Sequence, residues 1–267
     1  MKAKLLKMVF STAVVAGICA MPIASQASLI PLGTGTNYVQ DFNTLATHGK
    51  STSLPAGWSL KGLVNVGDFY IADDGSSLNG GLFSYGVNMQ DHNRALGINT
   101  QANGNSGLFG VEFQNASLGV INRLNISYTG EEWRLGVAGQ RNQLQLQYSV
   151  NASSLTSGTW INAPSTLSFY TPNLSGVGQH NGTLGANQVP VSGSIGFLNI
   201  PAGATFWLRW QEIGPGGKND IPGDGLAVDN FSLSAVPEAS TFAAAFGALG
   251  LLGGTLWKRR SAVVNAI

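Results

Sequence analysis

Leu144-Gln145-Leu146-Gln147-Tyr148-Ser149-Val150 alternates apolar and polar side chains without a break. A side-chain period of two belongs to a strand with one buried face. Leu144, Leu146, Tyr148 and Val150 would face a core, and Gln145, Gln147 and Ser149 the opposite side. The same alternation returns in Val111-Glu112-Phe113, in Leu124-Asn125-Ile126-Ser127-Tyr128 and in Phe206-Trp207-Leu208-Arg209-Trp210. It returns once more between Leu226 and Leu233. Turn-forming clusters separate these runs, among them Asp73-Asp74-Gly75, Asn79-Gly80-Gly81, Asn103-Gly104-Asn105 and Gly214-Pro215-Gly216-Gly217. No stretch between 28 and 235 carries a 3.6-residue apolar period. Many short strands at turn-separated intervals predict an all-β sandwich or barrel.

Two addresses flank that region. Lys2, Lys4 and Lys7 precede the apolar run Met8–Ala20, and Ser25-Gln26-Ala27 offers the small residues a signal peptidase reads, with cleavage expected after Ala27. Residues 1–27 are thus expected to be a signal peptide. Cys19 lies within it, so the exported chain would contain no cysteine and would rely on its core, without disulfides. At the other end, Val236-Pro237-Glu238-Ala239-Ser240-Thr241 leads into the uncharged run Phe242–Trp257 and then into Lys258-Arg259-Arg260. A membrane-crossing helix needs about 17–25 apolar residues. Thr241–Trp257 reaches the lower bound, and the three cations would stay on the cytoplasmic side with residues 261–267.

Residues 28–235 form one expected domain carrying eight Lys/Arg against twelve Asp/Glu, so its net charge is near −4 although that of the whole chain is +1. With no basic patch, nucleic acid is not an expected partner. Abundant Asn, Gln, Ser, Thr and Gly suit an extracellular β protein.

The order of parts in the tail resembles the PEP-CTERM sorting signal of Gram-negative bacteria. The resemblance is carried by Val236-Pro237-Glu238, Ser240-Thr241, Leu249-Gly250-Leu251-Leu252-Gly253 and the terminal cations Lys258, Arg259 and Arg260. Ala239 stands where that motif has a second proline. The resemblance implies an exosortase-like membrane enzyme as partner, a membrane-anchored precursor, and a final place at the cell surface or in an exopolysaccharide matrix. It implies nothing about the domain itself.

The domain's two ends carry a second resemblance. Asp41-Phe42-Asn43 followed by Pro55-Ala56-Gly57-Trp58, with Asp224-Gly225-Leu226-Ala227-Val228-Asp229-Asn230-Phe231 at the close, is similar to secreted jelly rolls of the MAM and carbohydrate-binding-module type. That likeness implies a jelly-roll-like sandwich, a glycan as ligand and a structural calcium near paired terminal strands. Asp41, Asp224, Asp229 and Asn230 would supply oxygen ligands. As alternatives, Asp224-Gly225 and Asp73-Asp74-Gly75 are ordinary turns, and Asp229 simply points away from an inward Val228.

Chemistry-bearing constellations are few. Glu131-Glu132 is the only adjacent acidic pair besides Asp73-Asp74, and with Glu112 or Glu212 it would be the carboxylate set of a glycosidase. Strand neighbours point to opposite faces, and retaining or inverting carboxylates must share a cleft about 5–10 Å apart. The pair is therefore expected to top a turn after Gly130. His48, His92 and His180 lie in polar, turn-like contexts, and neither a serine elbow nor a zinc motif occurs. The domain is read as non-enzymatic. Tryptophan offers a flat partner to sugar rings. Trp207 and Trp210, on opposite faces of one strand with Arg209 and Gln211 beside them, are the expected glycan contacts.

Overall fold

The computed structural model describes residues 29–63, 67–100, 107–215 and 223–237. The expected signal peptide, its expected cleavage point at Ala27, and the expected sorting residues Glu238, Ala239, Ser240, Lys258, Arg259 and Arg260 lie outside them. Among the described residues no helix is long and apolar enough to cross a membrane. The alternating stretches do become strands, and they assemble into a jelly-roll-like sandwich of two sheets.

The first sheet, sheet A, is built on β8 (Leu108–Asn115), β15 (Thr205–Ile213) and β10 (Gln143–Ser149). Beyond β8 lie β1 (Ile30–Leu32) and β4 (Trp58–Lys61), end to end. Beyond β10 lie β11 (Ile161–Asn162) and β12 (Phe169–Tyr170). The second, sheet B, is built on β9 (Ile121–Leu135) and the closing strand β16 (Gly225–Pro237), paired along nearly their whole lengths. β14 (Gln188–Ile195) and β13 (Gly178–Gln179) flank β9. β16 meets β7 (Ala95–Asn99) with its first half and β2 (Asn37–Gln40) with its second. β6 (Gly81–Tyr85), β5 (Tyr70–Asp73) and β3 (Lys50–Ser51) complete the sheet. The strand expected to open the domain, just before Asp41, thus pairs with the last strand, while the earlier β1 pairs with β8.

A register shift in β16 between Asp229 and Ser232 separates its two partners. Asn230 takes φ +49° there, a left-handed turn that asparagine tolerates better than most residues.

The core between the sheets centres on Trp210. Its indole stacks on Trp58 at 5.8 Å and Phe109 at 5.4 Å, and Tyr128 and Phe231 meet it edge-on. Aromatic pairs at such offsets add to the area they bury. The inward sets Leu144/Leu146, Phe206/Leu208/Trp210 and Leu226/Val228 are all fully buried, as the period of two requires.

Glu131 and Glu132 depart from expectation. They do not top a turn: they lie inside β9, next to an irregularity in its pairing with β16. Glu131 turns outward with Trp133, and Glu132 inward beside Leu226. Both are buried. Sheet B's outer surface holds a second small core, in which Phe83, Tyr85 and Trp133 stack at 5.2 and 5.6 Å. Two glycines let loops close over Trp133. A Cβ on Gly182 would overlap the indole, and one on Gly75, at φ +91°, its carbonyl.

Candidate functional site: the outer face of sheet A

The outer face of sheet A is set by register. Opposite one another stand Gln143 and Ile213, Gln145 and Gln211, Gln147 and Arg209, Ser149 and Trp207. On β8 the outward partners are Glu112 against Trp207 and Gln114 against Thr205. The face is therefore mostly neutral amides and hydroxyls.

A strap, residues 150–160, crosses this face. Leu155 and Ala152 pack on Trp207, with Leu108 and Trp160 beside them. Gly110 makes the crossing possible, since a Cβ there would overlap the Leu208 carbonyl and Leu155 Cδ2. Arg209 pins the strap to the sheet. Its guanidinium lies 3.9 Å from the Trp160 ring centre, its Nε donates to Gln147 Oε1 at 2.8 Å and its Nη1 donates to the Leu155 carbonyl. Burial lowers its pKa to about 10, so it remains a cation at neutral pH.

The strap divides the face in two. On one side Gln143, Gln145, Gln211 and Arg209 form a half-buried ladder beside the exposed Asn162, whose Oδ1 accepts from Gln147 Nε2 at 2.7 Å. On the other side a groove of about 450 Å³ runs between the strap and β4, lined by Ser59, Lys61, Asp68, Glu112, Ser153 and Trp207 among others. Lys61 and Asp68 neutralise each other across 3.1 Å. Burial raises the Glu112 carboxyl above its ordinary range, opposed by the nearby Trp207 and Thr205 side chains.

The two tryptophans expected to touch a glycan are enclosed. Trp210 is 0% exposed because its face of β15 is the inner one, and Trp207, on the outer face, is 4% exposed because the strap covers it. Only Trp207 reaches the groove wall. Arg209 and Gln211, named as their neighbours, hold the open positions. Trp160 was passed over in the sequence because it precedes a two-residue strand and has no alternating context.

The four residues expected around calcium do not come together. Asp41 lies near Asp229, beside Asn230. Both oxygens of Asp229 are held by Asn230, through its backbone N–H and its side-chain amide. Burial, then Asp41, pushes the Asp229 carboxyl up to about 7. Asp224 sits just before the start of β16, while Asp229 lies inside the strand. The Asp224 N–H donates to Glu212 Oε1 and its carboxylate accepts from Gly136 and Thr171. Among the described residues no group of three acidic, histidine or cysteine side chains gathers as a metal would need.

Five further acids among the described residues accept hydrogen bonds or meet a histidine. Glu212 accepts from Thr100 twice, from Asn142 and from Asp224, yet burial still pushes it up to about 8. Glu131 accepts from Trp133 Nε1 and Gln188 Nε2, each at 2.9 Å, and burial with the Asp229 charge raises it to about 8. Glu132 Oε1 lies 3.0 Å from His180 Nδ1, so His180 is not the solvated turn residue its sequence context implies. Asp73 and Asp74 bond the backbone N–H groups of Gly75, Ser76 and Ser77, as turn aspartates do.

The other open area is on sheet B, where Asn125, Ser127, Ser192, Ser194, Ser232 and Ser234 share a surface. It lacks aromatic rings and long side chains.

No protein-family model matches the chain, and no curated protein matches it. Solved structures do. The enzymatically active domain of bacteriophage CBA120 tailspike protein 4 is 9% identical with a TM-score of 0.33, over 67% of this chain and 19% of that one. The chain thus spans about a fifth of the length of that structure. The K1 cleaved adhesin domain of Lys-gingipain from Porphyromonas gingivalis W83 is 9% identical with a TM-score of 0.37, over 76% and 99% of the two chains. The carbohydrate-binding module TmCBM27, described for specific mannan recognition, is 14% identical with a TM-score of 0.36, over 73% and 94%. None of these likenesses bears on what this chain binds.

Proposed function

We propose that the domain is a non-enzymatic glycan-binding module, and that the outer face of sheet A is its binding face. One observation carries this: an open sheet face made of amide side chains, with a stacked Trp160–Arg209 pair at its border. Sugar hydroxyls both donate and accept, and so do amide groups. Gln143, Gln145, Gln211 and Asn162 offer such pairs at strand spacing, about 4.8 Å apart across the sheet. The charges on this face already have partners, Lys61 in Asp68, Arg209 in Trp160 and Gln147, and Glu112 in the Trp207 and Thr205 side chains, so the glycan class favoured is a neutral polysaccharide. Affinity electrophoresis through neutral glucans, mannans and xylans, and through a polyuronate, tests it. Retardation by a neutral polymer that Arg209→Ala abolishes supports the reading; retardation by the polyuronate alone, or by none, refutes it.

The export route is part of the proposal. The two terminal segments would carry the chain through the inner membrane, hold it there and release it through an exosortase-like cut near Pro237-Glu238. The mass of the protein recovered from the cell surface tests this, since an intact C-terminus would contradict it.

A second reading rests on Asp68 and Glu112, two carboxylates lining the same groove, one of them with a raised pKa. That is the outline of a glycoside hydrolase. Asp68 is already held by Lys61 and the Gly62 N–H, which favours the binding module. Release of reducing sugar that Glu112→Gln abolishes would reverse the preference.

A further inference from the structure

Two apolar side chains stand fully in solvent, Leu118 and Phe197, at 102% and 108% of their reference exposure. Each is held there by its loop. Leu118 belongs to a turn knotted around the buried Asn115. The Asn115 Oδ1 accepts from Ser117 N–H and Oγ, and its Nδ2 donates to the carbonyls of Gly119 and Ile200. Phe197 sits between the buried Ile195 and Leu198 and is turned outward by a φ of +58°. A bulky residue rarely adopts that conformation, and such strain gathers where a function needs it.

The two loops share one end of the sandwich. Ile121 and Ile200 exchange backbone hydrogen bonds, and the Leu198 N–H donates to Asn122. The chain leaves the domain at this same end, where Pro237 pairs with Ile121 and Val236 with Arg123. The segments building it, 33–36, 116–123, 196–204 and 235–237, contain no Asp or Glu and a single cation, the exposed Arg123. Beyond Pro237, four residues lead to the apolar run 242–257.

We propose that this end of the sandwich rests on the bilayer while the precursor is anchored, with Leu118 and Phe197 inserted among the headgroups and Arg123 facing lipid phosphates. The proposal rests on the reading of 242–257 as a membrane segment. Five Cα steps from Pro237 to Phe242 span at most about 18 Å, so the domain cannot stand clear of the surface. Leu and Phe beside a cation form the pattern of interfacial anchors. Because these two side chains lie beside the exit strand, they face the bilayer from which that strand emerges.

The test uses the full chain in a Cys19→Ser background, reconstituted in vesicles of phosphatidylethanolamine and phosphatidylglycerol. Nitroxide labels are placed at Leu118→Cys or Phe197→Cys, with Leu78→Cys as the comparison. Leu78 is exposed in the 74–80 connection, whose Ser76 carbonyl accepts from Arg134 at the opposite end of β9. The expected result is a higher ratio of oxygen to nickel-chelate collisions at 118 and 197 than at 78. Chain that floats with the vesicles but gives equal ratios at all three sites overturns the proposal and leaves the membrane-segment reading standing. Chain that fails to float overturns both. Dipolar broadening between labels on two copies would overturn it in favour of self-association.

Discussion

Trp210 and Glu131 mark the two kinds of buried residue on which this domain depends. Trp210→Ala removes the ring on which four others pack, and large aromatic deletions in a core cost about 3–5 kcal/mol. Denaturant titration should find a loss of that size, with glycan binding unchanged in the fraction that remains folded. Glu131 governs a pH response. An unfolded glutamate titrates near 4.3, whereas folded Glu131 is pushed up to about 8. The folded state therefore holds its proton across that interval, and stability falls as pH rises from about 4 through about 8. Glu212 and Asp229, raised to about 8 and about 7, act in the same direction. Glu131→Gln keeps the volume and a hydrogen bond with Trp133, and its amide can donate to Gln188 after that side chain turns over. Its melting temperature is expected to fall less steeply between pH 5 and 8 than the wild type's. An unchanged slope would remove Glu131 from the account. Neither burial was legible in the sequence: Asp229 was expected to ligate calcium or, alternatively, to point away from an inward Val228, and Glu131 to top a turn, because alternation gives the side of a sheet and says nothing of what later covers it.

The strap over sheet A is the element on which the binding face depends. Gly110 is the point where it crosses, and Gly110→Val would push a branched side chain into Leu155 and against the Leu208 carbonyl of β15. Overpacking of this kind costs about 1–3 kcal/mol. The variant is expected to melt lower and to be cut by proteases within residues 150–160 while the sandwich survives. Resistance equal to the wild type's would mean that the strap is held by other contacts. The strands beneath it were readable because Leu144–Val150 and Phe206–Trp210 obey a period of two over several residues. The strap was not, because its contacts reach across the sheet: Trp160 meets Arg209 and Leu155 meets Gly110, residues brought together by β10 and β15 pairing rather than by spacing along the chain. For the same reason the sequence could not show that both expected contacts, Trp207 and Trp210, are enclosed, which leaves Arg209 and Gln211, expected beside them, as the outward positions of the proposed face.

At the scale of the whole molecule, the sandwich has one outer surface half closed by loops and one crossed by a strap with open areas on both sides of it. Loops seal Phe83, Tyr85 and Trp133 on half of sheet B, and the other half is a lawn of serines and asparagines. Sheet A keeps its amide ladder and groove accessible, and the chain exits toward its apolar tail beside Leu118 and Phe197. The proposed ligand face on sheet A and the proposed membrane-facing end would together suit a protein that is held at a surface and later released into a matrix. Terminal-strand pairing was foreseeable from the motifs around Asp41 and Asp229. The separation of Asp224 from them was not, since it requires the run from Asp224 to Asp229 to be continuously extended, which sets the two carboxylates' backbone positions about 17 Å apart. The most direct measurement is a titration of the ¹⁵N-labelled protein with a neutral oligosaccharide, following its side-chain amide signals. The account predicts saturable shifts at Gln143, Gln145, Gln211 and Asn162 that Arg209→Ala suppresses. Shifts confined to Asn125 and its serine neighbours on sheet B, or none with any neutral glycan, would contradict it.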